Sequence, residues 1–426
     1  MKTIYVEKFA AKAAASAIIA GALIFAWFGI SWRIGNMLAE LTPASQANAS
    51  EIAEFSHRLA PSDPVPVWLA AVKAVEEAAG NNPEKAVSLF RDVVRLSPND
   101  FRWWLELGRG YEQAERFDEA ELAFLKAIEL APEYSFSRWQ FGNFYLRRNR
   151  VDDAFGQLKL ATAKSAEYRD QVFSLAWDFY GGDPASVERI AADNPDARAG
   201  LALFFAAHGA AENSLRLWNT LDDDQKAKHP QLPKTMAQGL FDRRYFQESL
   251  EFARQAGIDQ SSRQEAVTNP GFEEFIGRSD ETLFGWRLIR QDARIELSVD
   301  SAVKKEGSRS LRVTFRGFSK PQLVNIVQVA TVTPGQKYKL SFWLRTENLK
   351  SGGMPIFQIV NANDGSGIAA SPPFAIGTAD WRQVEIDFTA PENCTGVELM
   401  TVREYCGDEC PMTGTFWYDG FELKKI

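Results

Sequence analysis

The hydrophobic and polar positions of this chain change rhythm twice. From Ala13 to Trp32 the residues read AAASAIIAGALIFAWFGISW, without a charge. At the rise of an α-helix that stretch reaches ~30 Å, the depth of a bilayer core. Across residues 65–257 apolar positions recur at helical spacing. From Asn269 onward the period falls to two. In KYKLSFWLRT, Tyr338, Leu340, Phe342 and Leu344 alternate with Lys339, Ser341, Trp343 and Arg345, which predicts a strand with one buried face. SLRVTF, VNIVQVATV, WRQVEIDF, GVELMTV and TFWYDGFEL continue the alternation between turns rich in Gly, Pro and Asn. A multidomain chain is expected: a cytoplasmic stub and transmembrane helix at 1–33, a polar linker at 34–64, helical repeats at 65–257, a linker at 258–268 and an all-β sandwich at 269–426.

Lys2, Lys8 and Lys12 precede the apolar run, whereas Arg33 is the only basic residue between it and Arg58. The lysine side is therefore expected in the cytoplasm, with one pass through the inner membrane and the bulk of the chain on the periplasmic or extracytoplasmic side. A cleaved signal peptide is the alternative, with Ala47-Asn48-Ala49 as its small-residue site. The apolar run is too long for a signal core and ends well before that site, so a retained anchor is expected.

Inside the helical region, RWWLELGRGYEQAERFDEAELAFLKAIELAPEY carries Trp104, Leu107, Gly108, Tyr111, Ala120, Phe124, Ala127 and Pro132. These residues, at these spacings, resemble the tetratricopeptide repeat (TPR), whose period is about 34 residues. One period on, Phe141, Gly142, Tyr145, Ala154, Leu158 and Ala161 fall in register, with Arg138 and Ala166 departing from the pattern. One period back, Ala86, Phe90, Val93 and Pro98 repeat the second half. Small residues such as Gly108 and Ala120 let the helices of a hairpin approach, and proline ends the second helix. Beyond Tyr168 the register fades into divergent hairpins: Gln171 to Tyr180 with Pro184 to Ala192, Pro195 to Ala207 with Ala211 to Leu221, and Leu232 to Phe241 with Tyr245 to Gly257. The resemblance implies an all-α TPR solenoid whose first helices line a groove. Arg102, Arg109, Trp139, Asn143 and Arg147 would face into it, either as a docking groove for an acidic or extended segment of a partner protein or as a solvated face with one packing tryptophan.

The β region carries an ordered set of signatures: Asn-Pro-Gly-Phe-Glu at 269–273, Gly285-Trp286, Glu306-Gly-Ser-Arg-Ser-Leu311, Gln328, Thr333-Pro-Gly-Gln-Lys-Tyr338, Trp381 and Trp417-Tyr-Asp-Gly-Phe-Glu-Leu423. Together they resemble the jelly-roll carbohydrate-binding modules grouped as families four and nine. That resemblance implies a jelly-roll sandwich and a structural calcium held by Glu273 and Asp419 with backbone carbonyls near Gly307; the alternative is a pair of surface acids. Sugar binding needs aromatic faces and planar polar groups. Trp343 and Arg345, with Gln328, Gln358 and Arg403 as companions, are the candidates. For Trp343, ligand contact and packing both stand. Trp286, Trp381 and Trp417 are expected in the core.

Composition narrows the function. A net charge of −8 supplies no concentrated basic face, so no nucleic-acid partner is expected. The three cysteines, Cys394, Cys406 and Cys410, cluster at the C-terminal end, far from His57, His208 and His229. Outside the cytoplasm Cys406 and Cys410 would close a small disulfide loop, leaving Cys394 odd. Phosphate-loop, dinucleotide, zinc-protease and serine-hydrolase motifs are lacking, and Asp152-Asp153 and Asp222 to Asp224 read as turns or helix starts. No enzyme and no catalytic cofactor is expected. The expected function is a non-catalytic, membrane-anchored envelope scaffold. Its TPR array would bind protein partners and its sandwich a polysaccharide, in exopolysaccharide or surface-polysaccharide assembly or export. The alternatives are a glycan-active enzyme with an acid pair between Tyr168 and Gly257, and a protein-assembly factor that binds no sugar.

Overall fold

A computed structural model describes residues 9–77, 83–191, 193–274, 276, 283–289 and 292–426. Lys2 and Lys8, on which the expected orientation rests, lie outside the described residues, as does Ala192. The chain divides into two compact units, Met1–Gly181 with Arg189–Ala192, and Gly182–Glu188 with Asp193–Ile426.

The first unit opens with α1 (Phe9–Glu40), long and apolar enough to cross a membrane and unburied over its apolar window. Its last turns are different. A Cβ on Gly35 would come within 2.7 Å of the Ser56 carbonyl, and Ala39 is sealed against Ala49, Ala53 and Leu69. Asn36 donates to the Asp63 carboxylate at 2.9 Å. Residues 34–64, expected as a polar linker, thus hold the end of α1 and all of α2 (Ala49–Leu59), followed by α3 (Pro64–Glu77). Small residues, Gly35, Ala39, Ala49 and Ala53, are what permit the helices to touch.

The repeats follow as α4 (Pro83–Leu96), α5 (Phe101–Gln113), α6 (Phe117–Leu130), α7 (Ser135–Arg147), α8 (Val151–Lys164) and α9 (Ala166–Phe179). The repeat's glycines are steric requirements. A Cβ on Gly108 would meet the Phe124 ring at 3.1 Å, and one on Gly142 would meet Leu158 at 2.7 Å. The Phe124 ring in turn stacks on Phe141 of the next hairpin, 5.7 Å between centroids. Asp100 caps α5 by accepting from the Arg102 amide, 3.0 Å. Asp152 and Asp153 lie in the first turn of α8, a helix start as expected. A short α10 (Pro184–Ile190) comes next.

In the second unit, α11 (Pro195–His208) and α12 (Ala211–Asn219) pair, then α13 (Asp223–Ala227), then α14 (Leu232–Asp242) and α15 (Phe246–Gln255) pair. Asp222 starts α13 with a capping box to Gln225. The strands are β1 (Arg287–Leu288), β2 (Ile295–Asp300), β3 (Ser310–Phe318), β4 (Ile326–Thr331), β5 (Lys337–Lys350), β6 (Pro355–Asn361), β7 (Gly367–Ala370), β8 (Gly377–Thr389), β9 (Gly396–Arg403) and β10 (Met412–Lys425). They form two antiparallel sheets, β1-β4-β9-β6-β7 and β2-β3-β10-β5-β8. Between them Phe342, Phe357, Tyr418 and Phe421 form a ring cluster, with the Tyr418 hydroxyl bonded to Thr401 at 2.8 Å.

The first sheet is covered on its outside too. Val329 packs with Phe246, Leu250 and Phe284, so α15 lies over β4. Arg244 donates to the Ala362 carbonyl and Gln247 to that of Val332, each at 2.7 Å. Residues 258–268, expected as a linker, are fastened along β4. The Glu265 amide donates to Thr331, and the Glu265 carboxylate accepts from the hydroxyls of Thr333 and Tyr338.

Candidate functional site

Cross-strand register assigns the outer face of the second sheet. Phe416 and Tyr418 of β10 point into the core, so Trp417 points away from it, beside Arg345 of β5 and Arg312 of β3. Trp343, two residues before Arg345, shares that face and pairs with Asp419 and Gln383. Cations lie over both tryptophans: Lys305 Nζ sits 4.2 Å from the Trp343 ring centroid, and the Arg345 guanidinium 5.4 Å from that of Trp417. Trp417 also donates its indole N–H to Asp300, 3.0 Å. Among the described residues Arg345 makes no ion pair, and its Nε is buried without a partner.

The expectation that Trp286, Trp381 and Trp417 are core residues holds for Trp286, which packs on Phe272 and Phe421. Trp417 is buried but outside the core, shielded on the outer face by neighbouring cations. Trp381 is half-buried on β8 and outside the core cluster. A period of two fixes which residues share a face, while long arginine and lysine stems bury an outward tryptophan as effectively as a second sheet.

The other glycan candidates do not join Trp343 and Arg345. Gln328 is fully buried. Its amide accepts from the Thr268 N–H (2.8 Å) and donates to the Thr268 carbonyl (2.9 Å), stitching that segment to β4. Arg403 is also buried, donating to the Lys320 and Gly353 carbonyls and to Ser351. Both side chains are spent on the protein itself, which corrects the expectation that they line a sugar surface. Gln358 sits on β6 in the other sheet, opposite Met400 and Ala370.

Glu273 and Asp419 form a cradle. Glu273 accepts from the amides of Ser308 (2.8 Å) and Arg309 (3.2 Å) and from the Ser308 hydroxyl, and these bonds, the hydroxyl's first, hold it below the usual carboxylate range. Asp419 Oδ2 accepts from the amides of Lys305 (2.7 Å) and Glu306 (3.0 Å), while Oδ1 is buried with no partner. Burial pushes Asp419 above its ordinary value. Two glycines keep the space open. A Cβ on Gly271 would lie 3.5 Å from Asp419 Oδ1 and 3.8 Å from Glu273 Oε1, and one on Gly307, where φ is +56°, would collide with the Glu273 carboxylate. Among the described residues no three His, Cys, Asp or Glu side chains converge as a metal set. A cation here would rest on two carboxylates and backbone carbonyls.

In the first unit each groove arginine already has an acid. Arg102 grips Asp100 (Nε to Oδ1 2.9 Å), Arg109 meets Glu106 (3.2 Å) and Arg147 meets Glu112 (2.6 Å). Asn143 donates to the Trp139 carbonyl at 2.9 Å. The expected basic lining is therefore neutralised locally. Sequence reasoning missed the aromatic run. Phe101 packs on Tyr134, Tyr134 on Phe136, and Trp139 stacks between Phe136 and Tyr168 at 6.1 and 5.7 Å. Beside it, a cleft of about 560 Å³ is lined by Asn36, Trp68, Phe101, Trp103 and Glu106, among others. The signal was present: aromatics fall at or near the starts of three successive first helices.

The Cys406–Cys410 disulfide closes the loop between β9 and β10, with Cα atoms 5.8 Å apart, and Cys394 is a buried free thiol.

A family model described as carbohydrate binding domain matches residues 264–404, and one described as tetratricopeptide repeat matches residues 101–134. A solved family-four carbohydrate-binding module is 14% identical, over 38% of this chain and 99% of that one, with a TM-score of 0.28. An arabinose-bound α-L-arabinofuranosidase is 16% identical over 39% of this chain, TM-score 0.30, and this chain spans only 27% of it. A MamA structure from Desulfovibrio magneticus RS-1 is 14% identical, over 38% of this chain and 89% of that one, TM-score 0.30. No curated protein matches the chain.

Proposed function

From a chain that carries a tetratricopeptide array and a carbohydrate-binding-type sandwich behind a long apolar helix, we propose a non-catalytic, membrane-anchored scaffold of the cell envelope. The carrying observation is the pairing of two binding modules on one chain. α1 anchors it in the inner membrane, with the repeats and sandwich on the periplasmic side. The repeat groove engages a protein partner through its aromatic run rather than through its paired arginines. The sandwich holds a polysaccharide, in exopolysaccharide or surface-polysaccharide assembly or export.

The glycan surface in this reading is the outer face of β2-β3-β10-β5-β8, with Trp343 for stacking and Arg345 for hydroxyls or carboxylates. Support comes from what covers the other sheet: α15 lies over its outer face at Val329 of β4. Calcium belongs to the same reading. The unpartnered Asp419 Oδ1 and the space kept by Gly271 and Gly307 suit a hard cation, which Asp419 and Glu273 would hold with backbone carbonyls, tying residues 269–273, 305–309 and β10 together.

A second reading, an assembly factor that binds no sugar, is favoured by Lys305, which covers the Trp343 ring. A glycan array probed with the detergent-solubilised full chain, with calcium and with chelator, separates the two. The scaffold reading expects calcium-supported retention of a polysaccharide that is lost in Trp343→Ala. Absence of binding to every glycan would leave the assembly factor.

A further inference from the structure

The guanidinium of Arg403 is buried, yet among the described residues no carboxylate pairs with it. Instead, its Nη2 lies 2.9 Å from Cys410 Sγ and 3.2 Å from Cys406 Sγ. Its remaining contacts are neutral: the Lys320 and Gly353 carbonyls, the Ser351 hydroxyl and the Phe318 ring, with Nε unpartnered. Lys320 turns its own ammonium to Asp292, 3.5 Å. Asp408 and Glu409, in the same loop, are exposed. A buried charge without a counter-ion is costly, and disulfide sulfur is a weak acceptor. The seat is also shaped for the sulfurs. A Cβ on Gly353 would fall 2.7 Å from Cys406 Sγ, and one on Gly352 3.4 Å from Cys410 Sγ.

We propose that Cys406–Cys410 is a thiol–disulfide exchange site, reduced by a dithiol, with Arg403 placed to hold the Cys410 thiolate that reduction releases. Cys406 is partly exposed and Cys410 is 3% exposed, which sets the direction of attack. A thiolate of the dithiol attacks Cys406 Sγ. The S–S bond breaks and its electron pair goes to Cys410 Sγ, beside Arg403. The second thiol of the dithiol, on losing its proton, displaces Cys406, which leaves as a thiolate and takes up a proton. The dithiol becomes a disulfide, and the protein holds one thiol, one thiolate paired with Arg403, and releases one proton. The ion pair replaces weak contacts to neutral sulfur with charge-assisted hydrogen bonds, so reduction relieves the lone buried cation.

The test equilibrates the full chain in detergent with mixtures of reduced and oxidised dithiothreitol. Wild type reduces without unfolding, and Arg403→Met shifts the equilibrium toward the disulfide by roughly tenfold, the worth of one pKa unit in thiolate stabilisation. After reduction, the iodoacetamide reaction of wild type against pH shows one cysteine with a pKa below the free-thiol value of about 8.5. Cys394, pushed up to about 11 by burial, reacts outside that window. The proposal is overturned if both reduced cysteines titrate at or above about 8.5, a measurement on wild type that stands even where Arg403→Met fails to fold. It is equally overturned if the folded chain resists dithiothreitol, or if a folded Arg403→Met leaves the equilibrium unmoved.

Discussion

Phe246 of α15 lies directly against Gly396 at the head of β9, so close that a Cβ on residue 396 would approach the ring to 2.6 Å. The contact joins the last helical hairpin to the sandwich within one unit, backed by Val329 and Leu250. Gly396→Ala is expected to destabilise the second unit by about 1–3 kcal/mol through overpacking. Phe246→Ala is expected to cost about 3–5 kcal/mol through the cavity it leaves. Denaturant titration of residues 193–426 measures both. A fragment limited to residues 265–426 strips Val329 of its cover and should unfold at lower denaturant. Equal stability of the two fragments would show that the hairpin contributes nothing.

The cradle acids titrate in opposite senses. Asp419 is raised by burial, so without metal its contribution to stability is fully present below the unfolded carboxylate value and is lost as pH rises through the raised folded value. Glu273 is lowered by the bonds from Ser308 and Arg309, so its contribution is present above its unfolded value and disappears only as pH falls through the depressed folded one. In chelator, wild type should therefore lose melting temperature relative to Asp419→Asn on going from about pH 4 toward neutrality as Asp419 ionises. Calcium should remove that loss, and Asp419→Ala should abolish the calcium effect. Melting curves that ignore calcium at every pH would dismiss the ion.

Two tryptophans on one sheet face allow packing to be tested apart from the proposed glycan contact. Trp417 is buried and bonded to Asp300, so Trp417→Ala should cost about 3–5 kcal/mol in denaturant titrations and leave the Asp300 carboxylate short of a donor. Trp343 is only half-buried under the Lys305 ammonium, and Trp343→Ala should cost less than about 2 kcal/mol while abolishing glycan retention. Comparable destabilisation by both variants, with retention intact in Trp343→Ala, would make Trp343 a packing residue.

The alternation in KYKLSFWLRT was enough to predict β5 and the shared face of Trp343 and Arg345, because strand geometry leaves no other arrangement. The steric logic of Gly108 and Gly142 was equally readable, since only one helix spacing repeats them against Phe124 and Leu158. Partners distant in sequence were not readable. Gln328 looks like any polar strand residue until Thr268 arrives across the fold, and Arg403 looks exposed until the loop at Ser351–Gly353 closes over it. The acidic partners of the groove arginines were hidden for a related reason. Arg147 meets Glu112 from the preceding first helix, a pairing that a pattern of single positions does not reveal.

The junction between α1 and α2 bears on whether the proposed anchor is retained. Ala49, the last residue of the small-residue cleavage signal, is fully buried as the first residue of α2, and Ala39 and Gly35 pack against that helix from the other side of the signal. A peptidase cutting there would sever α1 from its contacts and expose the faces of Ala53 and Leu69. Retention is therefore expected: the membrane fraction should contain a chain whose mass includes residues 13–48, and alkaline phosphatase fused after Ile426 should be active outside the cytoplasm. Gly35→Leu, which places a side chain against the Ser56 carbonyl, should loosen the junction by about 1–3 kcal/mol and make residues 41–48 more sensitive to added protease than in wild type, whose chain stays in the membrane fraction. A soluble mature chain beginning near Ala49 would instead mean that α1 is a leader, and that the packing at Gly35 exists only before processing.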